Sequence, residues 1–145
     1  MNLMGLLFSF EGRINRKKFW LAVLIYVIFL VVLALLIAIP KVGWLLAGVG
    51  YVGMLVSSVF VAIKRLHDRN KPGWWVAVFY LIPMILSGAS AYLSFNAGEQ
   101  TPMAMLISLI SLAISLWAFI ELGCLRGTVG PNQYGPDPIA PQPGH

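Results

Sequence analysis

A chain of 145 residues that is 59% apolar, with a mean hydropathy of +0.85, holds more hydrocarbon than a soluble core of this size can hide; globular domains run at roughly 45–50%. A water-soluble fold is excluded, and the single Cys124 excludes an intramolecular disulfide. The net charge of +5 comes from Lys and Arg placed beside apolar runs, which is the pattern of membrane topology rather than of nucleic-acid binding.

Met1 to Phe10 is apolar but too short to span, and Leu3, Leu6, Leu7 and Phe10 recur at helical spacing, so a short interfacial segment is expected. Glu11 and Gly12 break it. Arg13, Arg16, Lys17 and Lys18 then form a basic collar, with Asn15 placed to cap the helix that follows. The next apolar run is too long for a signal-peptide core and lacks a small-residue cleavage site, so it is expected to remain as the first span. Apolar runs at 20–39, 42–63, 74–96 and 103–122, the last with Glu121 at its end, are each long enough to cross a hydrocarbon core of about 30 Å.

These runs differ in kind. The first has no charged residue and hardly a polar one, and is expected largely to face lipid. The second places Gly43, Ala47, Gly50, Gly53 and Ser57 at spacings of three and four, a face on which helix backbones approach closely. The third contains Pro83, which predicts a kink. The fourth carries Ser108, Ser111 and Ser115 on one face, expected to meet another helix. From Gly127 the chain is rich in Pro and Gly and is expected to be an extended, mobile tail to His145, with Gly130–Pro138 dense enough in turn formers for local order. The expected fold is therefore an all-α membrane protein. A small bundle of four transmembrane helices occupies residues 1–126, and a Pro/Gly-rich tail occupies 127–145.

Between the two hairpins lies a polar island, Lys64 to Trp75, ending in the paired indoles Trp74 and Trp75 that belong at a headgroup boundary. In a four-span topology Arg13, Arg16, Lys17, Lys18, Lys64, Arg65, Arg69, Lys71 and Arg126 fall on one side and Lys41 on the other, which predicts both termini in the cytoplasm. Phe19-Trp-Leu-Ala-Val and Trp74-Trp-Val-Ala-Val open the two hairpins alike, an echo that fits a parallel duplication but more simply the basic, aromatic, then aliphatic entry of any inside-to-outside span.

Chemistry is sparse. His67 and Asp68 are adjacent, but the other histidine is His145 in the tail, too few ligands for a tetrahedral metal site. No nucleophile elbow or phosphate-cradling glycine loop is present, and no cofactor is expected. Glu121 is expected to pair with Arg65, Lys64 or Arg126 near the headgroups. The collar residues Arg13, Arg16, Lys17 and Lys18, with Lys64, Arg65, His67, Asp68, Arg69 and Trp74 of the island, are the candidate surface for anionic lipid or a protein partner.

Three segments together, Phe10-Glu-Gly-Arg-Ile-Asn-Arg-Lys-Lys-Phe-Trp, Lys64-Arg-Leu-His-Asp-Arg-Asn-Lys-Pro-Gly-Trp-Trp and Gly127-Thr-Val-Gly-Pro-Asn-Gln-Tyr-Gly-Pro-Asp-Pro, resemble the bacterial inner-membrane family of YhaH and YhaI, domain of unknown function 805. The resemblance covers nearly the whole chain. It implies a small multi-span protein of the bacterial cytoplasmic membrane with no assigned activity, and it adds Asn132 and Tyr134 to the candidate surface; Lys71-Pro72 departs from the pattern, where a serine before the glycine is expected. The expected function is a non-enzymatic membrane component whose basic cytoplasmic surface binds lipid headgroups or a protein. The rival is a small transporter or channel acting as a homo-oligomer. A lipid-modifying enzyme, the third reading, requires Asp68, His67 and Glu121 to converge.

Overall fold

Local chemistry starts each helix where an amide needs a partner. The computed structural model describes residues 2–140. Helix α1 (Leu3–Phe8) begins at Asn2, whose side chain accepts the Gly5 amide at 2.9 Å. Helix α2 (Arg16–Ile37) begins at Asn15, which accepts the Lys18 amide at 3.0 Å as its position predicts. Helix α5 (Pro102–Phe119) begins at Thr101, which accepts the Ala104 amide at 3.1 Å with Pro102 in the first turn. Caps of this kind contribute about 1 kcal/mol each. Helices α3 (Gly43–Asp68) and α4 (Ile82–Ala97) complete the set; a π turn, Ala77–Leu81, leads into α4, and a second, Ile120–Cys124, extends α5. Four helical segments, Arg16–Ile37, Gly43–Asp68, Ala77–Ala97 and Pro102–Cys124, are long and apolar enough to cross a membrane.

The second span does not stop at Ile63. Helix α3 runs on to Asp68, so half of the polar island is the last turns of a helix rather than a loop. Lys64, Arg65 and Leu66 are good helix formers, and cations suit the negative end of the helix dipole. The stop is Asn70, in the left-handed region at φ +56°: its amide donates to His67 O at 3.0 Å and the Lys71 amide to Leu66 O at 2.9 Å, a Schellman closure. At Pro83 the expected disturbance takes the form of the preceding π turn, where the Ile82 amide reaches back to Ala77 O. Widening that turn relieves the crowding that proline imposes on the carbonyl four residues earlier.

The helices assemble as two hairpins, α2 on α3 and α4 on α5. Gly43, Ala47, Gly50 and Ser57 do form the α3 face toward α2: a Cβ on Gly43 would strike Leu36 O, and one on Gly50 would sit 2.7 Å from Leu33. Gly53 is the exception, with open space beside it. Of the α5 serines, Ser108 and Ser111 meet α4, whereas Ser115 donates back to Ser111 O at 2.9 Å and faces the space between the hairpins. Ser90 donates to Ala104 O at 2.7 Å and lies 2.7 Å from Ser108, while Ser111 donates to Pro83 O at 3.1 Å and lies 3.0 Å from Ser87. In lipid such bonds replace the hydrophobic drive that is absent there.

The hairpins meet at one end. There the turn Ile120–Cys124 rests on α2 and α3, and Ala62 and Leu66 of α3 join Val76, Phe79, Ala118 and Leu122 in one apolar cluster. Toward the other end, no helix of one hairpin packs along a helix of the other among the described residues.

Candidate functional site

The polar residues gather where the hairpins meet, around the N-terminal collar. Asp68, at the last turn of α3, sits between two guanidiniums: Arg13 Nη2 lies 3.1 Å from its Oδ1, and Arg65 Nη1 pairs with its Oδ2. All three side chains are buried, with at most 3% of their surface exposed. Arg65 also donates through Nε to Leu122 O at 2.7 Å and through Nη2 to Leu125 O, closing the open carbonyls at the end of the fourth span.

Arg13 engages all five of its N–H donors. Nε and Nη2 reach Asp68 Oδ1, Nη2 also reaches Thr128 O at 2.6 Å, and Nη1 reaches Gly130 O at 2.8 Å and Gly135 O at 3.2 Å. The segment after residue 126 is thereby folded onto the collar. Thr128 N donates to Asp68 O at 2.7 Å, Asn132 Nδ2 donates to His67 O at 2.9 Å, and Tyr134 stacks on His67 with ring centroids 3.8 Å apart and planes 4° from parallel. Inside the segment, Asn132 and Gly135 exchange backbone bonds at 3.0 Å, and Asp137 accepts the amides of Ile139 and Gly130, which hold its carboxyl below the ordinary aspartate value. The tail's ordered part thus includes the stretch in which turn formers predict local order; its last residues, 141–145, lie outside the described residues.

Lys64 works at a different joint. Its buried Nζ donates to Gly5 O at 2.6 Å and Leu6 O at 2.5 Å, the open carbonyls at the end of α1, and Ser57 donates to Leu7 O at 2.7 Å. The N-terminal segment is therefore laid against α3, with Leu6 buried. Glu121 pairs with Arg69 and Lys71, each at 3.0 Å, rather than with the expected Arg65, Lys64 or Arg126, because Arg65 and Lys64 already face carbonyls and Asp68. Lys71 also lies 5.0 Å over the Trp75 ring.

The candidate surface therefore divides. Arg13, Lys64, Arg65 and Asp68 point inward and are not part of a surface, a consequence of α3 continuing through the island and carrying them into contact with the collar and tail. His67, Arg69, Asn132 and Tyr134 are half-buried in the joint between island and tail, and Trp74 is exposed. Arg16, Lys17 and Arg126 are exposed and Lys18 is half-exposed; Arg16 donates to Cys124 O at 2.9 Å. Asp68, His67 and Glu121 do not converge: the first faces two arginines, the second a tyrosine ring and Gly12 O, the third Arg69 and Lys71. Among the described residues no three His, Cys, Asp or Glu side chains gather as a metal site. Gly127 is not among the candidate residues of the sequence, although it opens the third family-like segment: a Cβ there would overlap the Asp68 carboxylate.

A family model described as "Protein of unknown function (DUF805)" matches residues 7–136, a range that takes in the collar, all four spans and the tail segment held by Arg13. The chain belongs to the DUF805 family. Its relatives include "Uncharacterized protein YiiR" of Escherichia coli strain K12, 31% identical over 94% of this chain and 90% of the relative. The "Inner membrane protein YhaH" of the same organism is 32% identical over 90% and 87%, and "Inner membrane protein YhaI" is 28% identical over 90% and 86%. No solved structure matches the chain. Membership in DUF805 and four membrane-length helices make this an integral membrane protein of the inner-membrane type.

Proposed function

We propose that this DUF805 protein is a non-enzymatic component of the bacterial inner membrane, with both termini in the cytoplasm, whose collar end docks on anionic lipid headgroups. The observation that carries the reading is the division of the cations. Arg13, Lys64 and Arg65 are engaged inside the fold, whereas Lys17, Arg126 and, in part, Lys18 face outward at the end where the spans emerge. A cation near an anionic leaflet is worth about 1 kcal/mol, so three together give on the order of a hundred-fold in local enrichment. Ser87, Ser90, Ser108 and Ser111, polar groups that a transport pathway would use, are bonded to one another and to carbonyls between α4 and α5, which weighs against the transporter reading.

The test is reconstitution in nanodiscs of mixed phosphatidylglycerol and phosphatidylethanolamine, followed by mass spectrometry of retained lipid. The triple variant Lys17→Gln, Lys18→Gln, Arg126→Gln is expected to lose phosphatidylglycerol enrichment at unchanged thermal stability. Equal enrichment in variant and wild type overturns the reading.

A further inference from the structure

The two hairpins touch at the collar end and then part, and what lies in the opening is chemically specific. Beneath the turn Ile120–Cys124 is a crevice of about 310 Å³ whose walls include Trp20 and Val23 of α2, Tyr80 of the first π turn, and Ser115 and Phe119 of α5. Its volume is within the roughly 300–1,000 Å³ of small-molecule sites. Trp20 is fixed as one wall by its Nε1 donating to Gly123 O at 3.1 Å and by edge-to-face packing on Phe119 at 5.8 Å.

At the rim stands Arg16. Spacings of four and seven residues place it on the α2 face of Trp20 and Val23, one turn and two turns above them. It is exposed, and among the described residues its hydrogen-bond partner is Cys124 O alone, leaving most of its donor fork open. The crevice lined by Leu7, Tyr26 and Ser57 beneath α1 lacks this feature, because the nearby Lys64 is held by the Gly5 and Leu6 carbonyls.

We infer that this crevice binds one anionic glycerophospholipid, with its phosphate on the Arg16 guanidinium and an acyl chain between the hairpins. The inference rests on the proposed docking of the collar end on an anionic leaflet and adds a discrete, saturable site to it. Charge complementarity favours lipid over a second copy of the chain. Of the five acidic residues, Asp68 and Glu121 are engaged by cations inside the fold, Asp137 accepts two amides of its own segment, and Glu99 lies in the loop at the opposite end. A second copy therefore offers Arg16 little but Glu11, whereas a phosphate diester matches the planar fork of the guanidinium directly.

The same nanodiscs, gently delipidated and examined by native mass spectrometry, test this. Wild type is expected to keep one phosphatidylglycerol. Val23→Trp and Ser115→Phe fill the crevice from opposite walls and are each expected to shed it while eluting as a single sharp peak, so a folding defect in one leaves the other decisive. Arg16→Gln is expected to keep a lipid but to lose roughly tenfold in preference for phosphatidylglycerol over phosphatidylethanolamine. Retention of the bound lipid in the crevice-filled variants overturns the site, as does a wild-type dimer that both variants dissolve, which makes the occupant a second copy. The triple variant of the outward cations separates the two claims. One bound lipid kept with enrichment lost supports both, and enrichment unchanged while the filled variants shed their lipid removes the docking reading but not the crevice.

Discussion

Asp68 is where single side chains decide most. A buried carboxylate between two buried guanidiniums is weak evidence of net stability, because desolvating three charges offsets much of their attraction. Removing one partner is another matter. Asp68→Asn leaves Arg13 and Arg65 facing each other, and a loss of roughly 3–5 kcal/mol is expected, read as a lowered melting temperature in detergent. Gly127→Ala is expected to lower it too without altering any charge, because the new methyl occupies the space of the Asp68 carboxylate; a melting temperature equal to wild type would show that the tail does not press on Asp68. Asp137 adds a pH dependence. Its folded pKa is depressed by the Ile139 and Gly130 amides, so its contribution is complete above the unfolded value of about 4 and is lost as pH falls through the folded value. Protection of the tail amides, taken relative to the intrinsic exchange rate at each pH, is expected to fall on acidification below that point, and Asp137→Asn to weaken this pH response.

Among the helices, α3 shows how a polar run can be read two ways. Lys-Arg-Leu-His-Asp is an unattractive sequence inside a bilayer, so hydropathy ends the span early, yet nothing in it opposes helix, and the stop signal lies further on at Asn70. A left-handed non-glycine costs about 1–2 kcal/mol, least for Asn. Asn70→Gly is therefore expected to be neutral or mildly stabilising, and Asn70→Val to destabilise by roughly 1–2 kcal/mol, in thermal melts. The caps at Asn15 and Thr101, the serine face of α5 and most of the small-residue face of α3 follow from short-range pattern, because each depends on neighbours within one or two turns.

At the scale of the molecule, two hairpins hinged at a polar knot should behave differently along their length. With Cys124 replaced, oxidation of a Ser90→Cys, Ser108→Cys pair is expected to give a cross-link within the second hairpin, since their hydroxyls lie 2.7 Å apart. A Gly53→Cys, Gly88→Cys pair, one on each hairpin and both bordering open space, is expected to give none; efficient cross-linking there would mean the hairpins close along their length. The sequence alone determined the membrane class, the number of spans, the concentration of cations at one end and the family, because hydropathy, charge placement and short motifs are properties of consecutive residues. Only the tertiary structure decided which cations face inward. Arg13, Lys64 and Arg65 read the same as Lys17 and Arg126 in sequence, and they part company because carbonyls and a carboxylate from α1, α3, the end of α5 and the tail, as many as 122 residues away, converge on the first three. Burial of a charge depends on partners gathered through space, and no local pattern encodes that meeting.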